Sequence, residues 1–280
     1  MIRPSSRPGE GEIGGHYDGL DPLCRDIWGE DLHHGLWEGG NADAAAAVRS
    51  LTERVADAAR VSEDDRVCDV GCGYGGTAEH LARERGAHVT GYTLSAAQHE
   101  VAAGRSSGGR GALEFLRGDW LRAEPRPREY DAVIAVESTA HMDDKEGFYR
   151  KARRELRPGG RLVVCAWACA AEASGWERRH LLVPICREGH LASLLSASEH
   201  RELCRESGLR VEGIEDLTAR VRRTWTICLR RLAAALLRRR TWRYLRDAAP
   251  SERRFALTVV RIWLAYRTGA LRYLILVARS

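Results

Sequence analysis

Val67-Cys68-Asp69-Val70-Gly71-Cys72-Gly73-Tyr74-Gly75-Gly76 is the stretch that decides the fold. Arg66 to Val70 reads as a buried strand, and Gly76 to Arg85 as an amphipathic helix. The glycines between them let the backbone turn sharply and approach a ligand with no Cβ in the way. The helix that follows offers unpaired N–H groups at its start. Asp69, placed just before the first glycine, disfavours a phosphate and favours a cationic group such as an α-amino group. That argues against a nucleotide turn of the G-x-G-x-x-G kind. A tight strand-to-helix connection with no ligand is the competing reading of the glycines alone.

Outward from this point, short apolar runs alternate with amphipathic ones. His88 to Tyr92, Leu113 to Leu116, Tyr130 to Val136 and Arg161 to Trp167 read as strands. Ala96 to Ala103 and Lys145 to Leu156 read as helices, the second ended by Arg157-Pro158-Gly159-Gly160. Strands and helices at this pitch predict a parallel sheet covered on both faces. Upstream, Ala42 to Ala59 reads as one helix. Downstream, Cys169 to Leu195 is less regular, and Ser198 to Ser207 is a helix closed by Gly208. Leu209 to Leu217 and Arg272 to Val277 read as strands, Trp225 to Leu245 and Arg253 to Tyr266 as helices.

The fold expected is therefore α/β. It is a Rossmann-like, seven-stranded, mostly parallel sheet with an N-terminal helical lid and a C-terminal helical insertion. The chain divides into a flexible tail over 1–15, a helical cap over 16–60 and a cofactor-binding core over 61–168. A segment over 169–280 carries the substrate lid, the insertion and the final strands.

The 280 residues are 44% hydrophobic and 30% charged, an ordinary globular balance. No apolar run reaches the roughly 20 residues of a membrane span. The Pro-, Gly- and Glu-rich N-terminus lacks the apolar core of a signal peptide, so a cytoplasmic protein is expected. The eight cysteines form no C-x-x-C pair, and no metal site is expected.

Asp69-Val70-Gly71-Cys72-Gly73 resembles the first motif of class I S-adenosylmethionine-dependent methyltransferases. The resemblance implies that Asp69, Gly71, Cys72 and Gly73 face the methionine part of that cofactor, with S-adenosylhomocysteine as the product. The end of the second strand lacks the acid usual for the ribose. Instead, Gly91-x-Thr93-Leu94-Ser95-x-x-Gln98 is similar to a subgroup in which the Thr and Gln serve the ribose, Leu94 lying between them. Gly118-Asp119-Trp120 resembles the adenine site, with Asp119 accepting from the amine and Trp120 covering the purine. Within the subgroup, His33-His34-Gly35-Leu36-Trp37 is similar to the gamma-tocopherol methyltransferases. So are Glu137-Ser138-x-x-His141-Met142-x-Asp144-Lys145, Pro158-Gly159-Gly160 and Ala265-Tyr266-x-x-Gly269-x-x-x-Tyr273.

Methyl transfer needs two partners held in line, and a base where the acceptor must lose a proton. Glu137 and His141 are the candidates, four residues apart after the fourth strand. The alternatives are that Glu137 orders its loop and His141 caps the next helix. The resemblance implies that the N-terminal segment closes over the cofactor, with Tyr17 joining it. His33, His34, Trp37 and Trp225 are the candidate substrate contacts, against a plain packing role.

From Leu217 onward there are 16 arginines, no lysine and two acids, Asp247 and Glu252, so the preceding residues are net acidic. Arg220, Arg222, Arg223, Arg230-Arg231 and Arg238-Arg239-Arg240 read as a solvated cationic face. They also suit an anionic substrate or peripheral contact with a membrane. A small, apolar or aromatic natural product is the expected substrate. A prenyl-diphosphate C-methyltransferase and a non-catalytic cofactor-binding protein stay open. No nucleic-acid-binding module accompanies the charge, and the oligomeric state is not legible.

Overall fold

The computed structural model describes residues 1–4, 8–27, 33–38, 43–236 and 250–280. Seven strands make one sheet: β1 (Arg66–Val70), β2 (His88–Thr93), β3 (Ala112–Arg117), β4 (Tyr130–Val136), β5 (Leu156–Cys169), β6 (Arg210–Asp216) and β7 (Leu271–Arg279). Their order is β3-β2-β1-β4-β5-β7-β6. β1 pairs in parallel with both β2 and β4, while β7 runs antiparallel between β5 and β6. The seven-stranded, mostly parallel sheet is thus as expected. The chain winds outward from β1 to β3 and then returns to β4. That reversal opens a crevice past the carboxyl ends of β1 and β4, where ligands of such sheets bind.

Helices before and between the inner strands are α1 (Glu10–Ile27), α2 (Ala44–Ala59), α3 (Gly76–Arg85), α4 (Ala96–Ala103) and α5 (Lys145–Glu155). Later come α6 (Gly175–Glu177), α7 (Val183–Glu188), α8 (Ala197–Glu206), α9 (Thr218–Val221), α10 (Arg223–Leu236) and α11 (Pro250–Thr268). Alternation along β4 shows why both faces are covered. Ala132 and Ile134 join a core with α2, α3 and α11, whereas Val133 and Ala135 join Phe148, Tyr149 and Cys204 of α5 and α8.

Three expectations need correction. Where it is described, the tail expected over 1–15 is tied down: Ile2 is buried and bridges Leu194, and α1 starts at Glu10. Gly11, Gly14, Gly15, Gly19 and Pro22 give α1 poor intrinsic helicity. Docking overrides propensity there: Ile13 is buried, and a Cβ on Gly14 would come within 3.0 Å of the Leu94 carbonyl oxygen. Next, β5 begins at Leu156, because Arg157-Pro158-Gly159-Gly160 forms an irregularity inside the strand, between the Tyr130↔Leu156 and Ala132↔Arg161 pairs. Ser280 closes it, donating its N–H to the Gly160 carbonyl at 2.9 Å. Finally, the stretch after Cys169 is helical from Gly175 through Glu188, with a π turn over Arg178–Leu182 and a Ser174–Glu177 capping box. The expected continuation of α10 to Leu245, with Arg238, Arg239 and Arg240, lies outside the described residues, as does the expected helix start at Ala42.

Candidate active site

A cavity of about 670 Å³ fills the crevice past β1, β2 and β4. Its lining brings together Asp69, Gly71, Cys72, Gly73, Thr93, Leu94, Gln98, Asp119, Trp120, Tyr17, His33, Glu137 and His141. These residues come from six separate stretches of chain, and the sheet order is what assembles them.

The glycine turn is built for close approach. Gly71 has φ +83°, and a Cβ there would lie 2.3 Å from the Ser138 Cβ. Gly73 has φ +57° and no protein atom within 4 Å of its would-be Cβ, so it borders open cavity. The N–H groups of Gly71 and Cys72 both donate to the Tyr92 carbonyl, at 2.9 and 2.8 Å, which locks the turn to β2. Asp69 is buried behind this turn, and its Oδ2 has no hydrogen-bond partner. Burial lifts its carboxyl to about 7. An orphaned, buried acceptor facing a cavity suits a ligand that brings a positive donor. The α-amino group of S-adenosylmethionine is such a donor, so the residues fit that cofactor.

At the end of β2, the Thr93 hydroxyl donates to Gln98 Oε1 at 2.8 Å, and Ser95 caps α4 through the Gln98 N–H. Thr93 and Gln98 both line the cavity. Asp119 and Trp120 also border the cavity. The Trp120 ring, however, is seated in the core: its Nε1 donates to Glu155 at 3.2 Å and its edge meets Phe148.

Glu137 and His141 both reach the cavity, in different states. Glu137 sits at φ +60°, an uncommon conformation for a non-glycine residue. Its Oε1 accepts from the His34 N–H at 2.7 Å, the His34 Nδ1–H at 2.9 Å and the Tyr273 hydroxyl at 2.8 Å. Its Oε2 accepts from Trp167 Nε1 at 2.8 Å. Burial alone would raise this carboxyl, but the facing His34 and His33 rings and the donors outweigh it and bring it to about 2. Such a carboxylate is an anchor. The His34 tautomer follows from its partners: Trp225 Nε1, which can only donate, points at His34 Nε2 at 2.6 Å. The proton is therefore on Nδ1.

His141 ends a short 3-10 turn, Thr139–His141. Its Nδ1 lies 3.0 Å from the His190 carbonyl, which can only accept, so Nδ1 carries the proton. Nε2 is left with a lone pair, which takes the Tyr17 hydroxyl at 2.8 Å. Burial, aided by the charge of Lys145, brings the imidazole down to about 4, although the His190 carbonyl favours the charged form. It is a neutral base pointing into the cavity. Asp144, not His141, caps α5.

His34, Trp37 and Trp225 do not line the cavity. His34 and Trp225 are buried around Glu137, and Trp37 donates to Thr224 while Arg223 stacks on its ring. No lining residue comes from the segment after Asp144, so the described part of 169–280 supports the site from outside. Arg220 pairs with Glu38 and Glu215, away from the crevice. Sequence reasoning missed Ser138, which closes over Gly71, and His190, which sets the His141 tautomer. Ser138 stands in the Glu137-Ser138-x-x-His141 motif with no role assigned to it, and no local signal marks His190.

The profile of a methyltransferase-domain family matches residues 41–213. The chain belongs to this family. Over its whole length the methyltransferase is similar to the 27-O-demethylrifamycin SV methyltransferase of Amycolatopsis mediterranei: 32% identical over 277 residues, 98% of this chain and 99% of the relative. It is 28% identical to a probable chloroplastic tocopherol O-methyltransferase of Oryza sativa subsp. japonica, over 96% of this chain and 77% of the relative. Among solved structures it resembles the [4+2]-cyclase SpnF, with a TM-score of 0.82, 27% identity and coverage of 100% and 99% of the two chains. The methyltransferase is thus of class I, uses S-adenosylmethionine and falls with the tocopherol-like enzymes. Among its described residues, no helix is long and apolar enough to cross a membrane.

Proposed function

We propose that the enzyme methylates a hydroxyl oxygen of an apolar natural product, with His141 taking the proton. One observation carries this: the buried imidazole presents an unprotonated Nε2 to the cavity, and that atom already accepts from a hydroxyl, that of Tyr17. Bound S-adenosylmethionine supplies a methyl group activated by its sulfonium. Asp69 would hold the cofactor's amino group, Thr93 and Gln98 would hold its ribose, and the glycine turn would let it approach the sheet edge. His141 would take the proton of an acceptor hydroxyl through its unprotonated Nε2, freeing that oxygen to receive the methyl group. Tyr17 covers the base and keeps water away from it. Glu137 takes no proton in this scheme, because its oxygens are filled by donors from His34, Trp167 and Tyr273.

The names of the relatives support oxygen as the methylated atom, one acting on a rifamycin and one on a tocopherol. A diphosphate-bearing acceptor is not favoured, because Asp143 and Asp144 line the cavity and Arg122 is the one lining arginine among the described residues. The test uses labelled S-adenosylmethionine with 27-O-demethylrifamycin SV, tocopherol and a metabolite extract as acceptors. Alkali-stable label on an ether oxygen is expected. Label on carbon or nitrogen alone would overturn the reading.

A further inference from the structure

Lys145 opens α5 and is buried. Its Nζ donates to the Met142 carbonyl at 2.8 Å and reaches the Ala140 carbonyl at 3.5 Å. Those two carbonyls flank His141. The Ala140 oxygen also accepts from the N–H groups of Ala192, at 2.9 Å, and Ser193, at 3.3 Å. One oxygen thus joins the 3-10 turn, the lysine and the loop whose His190 carbonyl fixes the His141 ring. Burial pushes the Lys145 amine down to about 7, a stability cost that an apolar side chain would avoid. Asp143 and the Cys186 thiol face it and oppose that fall, while Arg3 adds to it. The groups facing His141 are Tyr17 and His16 from α1, Glu137 at the end of β4, His190 from the loop after α7, and Lys145 itself.

We propose that Lys145 is a positioning residue for His141: its buried amine ties down the turn from Ala140 to Met142 and, while protonated, sets a positive charge behind the imidazole. The tie keeps Nδ1 on the His190 carbonyl and Nε2 in the cavity. The charge opposes a second proton on the ring. The idea rests on His141 as the base for its purpose, though not for its test.

The test is an imidazole 15N titration of the ligand-free, 15N-histidine-labelled protein, with His141→Asn to assign the signal. In the wild type the ring stays the neutral Nδ1–H form down to about pH 5. Lys145→Met raises the His141 midpoint by about one pH unit and mixes the tautomers. Lys145→Gln keeps a donor for the Met142 carbonyl, so it raises the midpoint with the tautomer unchanged. Lys145→Arg, which keeps the charge, leaves the midpoint low. If Lys145→Met does not fold, the other two variants still decide. A wild-type midpoint, or a mixed tautomer, in folded Lys145→Gln overturns the proposal. Turnover of His141→Asn, measured separately, reports on the base itself.

Discussion

Replacing Asp69 by Asn should stabilise the free protein and weaken the cofactor at once. Folding raises this carboxyl from its ordinary range to about 7, with burial as the cause. Between about pH 4 and pH 7 the folded chain therefore binds more protons than the unfolded chain, and stability falls as the pH rises through that window. Above pH 7 the loss is complete, about 4 kcal/mol as an upper bound from about three pH units at 1.36 kcal/mol each. Asn carries no charge, but its amide stays unpaired at a cost of about 1–3 kcal/mol. The net expected is a gain of about 1–3 kcal/mol at pH 8, a rise of several degrees in Tm for a chain of this size. Binding moves the opposite way. Losing a buried, charge-assisted bond costs about 3 kcal/mol, or roughly 10²-fold in Kd. Wild-type affinity should also fall as the pH drops below about 7, because the free carboxyl then holds a proton that the cofactor must displace. Scanning calorimetry at pH 5 and 8 and titration calorimetry with S-adenosylmethionine read both effects. An Asp69→Asn protein that is less stable at pH 8 and binds as the wild type does would refute the reasoning.

Glu137→Gln should lose about 3–5 kcal/mol of stability, since it breaks a buried carboxylate held by donors from His34, Trp167 and Tyr273; urea unfolding checks this, and an unchanged midpoint contradicts the anchor role. Gly71→Ala cannot place its Cβ 2.3 Å from Ser138, so a fall of about 2–4 kcal/mol in stability and loss of cofactor binding are expected together. Gly73→Ala meets no protein atom, so its stability loss stays near 1 kcal/mol while affinity for S-adenosylmethionine drops, a contrast that paired calorimetry of the two variants tests.

The inner strands were legible because β1, β2, β4, β5 and β7 are largely buried and read as apolar runs. Tyr130 to Val136 and Ala96 to Ala103 match the observed elements to the residue. The cavity's glycine turn and the end of β2 were legible because they are local in sequence. α1 was not, because its glycines and Pro22 obscure a helix that exists by docking on Leu94. The acceptor half hid for a different reason. Glu137 and His141 look alike as a spaced pair, and only partners 30 to 136 residues away decide that the carboxylate is held by several fixed donors while the imidazole Nε2 meets the Tyr17 hydroxyl. Of the residues expected to touch substrate, His34 bonds Glu137 and Trp225 bonds His34, and neither lines the cavity.

The central claim is that His141, and not Glu137, takes the acceptor proton. Single-turnover transfer of labelled methyl to the hydroxyl acceptor, in wild type and His141→Asn at saturating cofactor, tests it most directly. The account predicts a loss of about 10²–10⁴-fold in rate with cofactor affinity and Tm close to wild type. A His141→Asn enzyme that transfers methyl within about threefold of the wild type would contradict it.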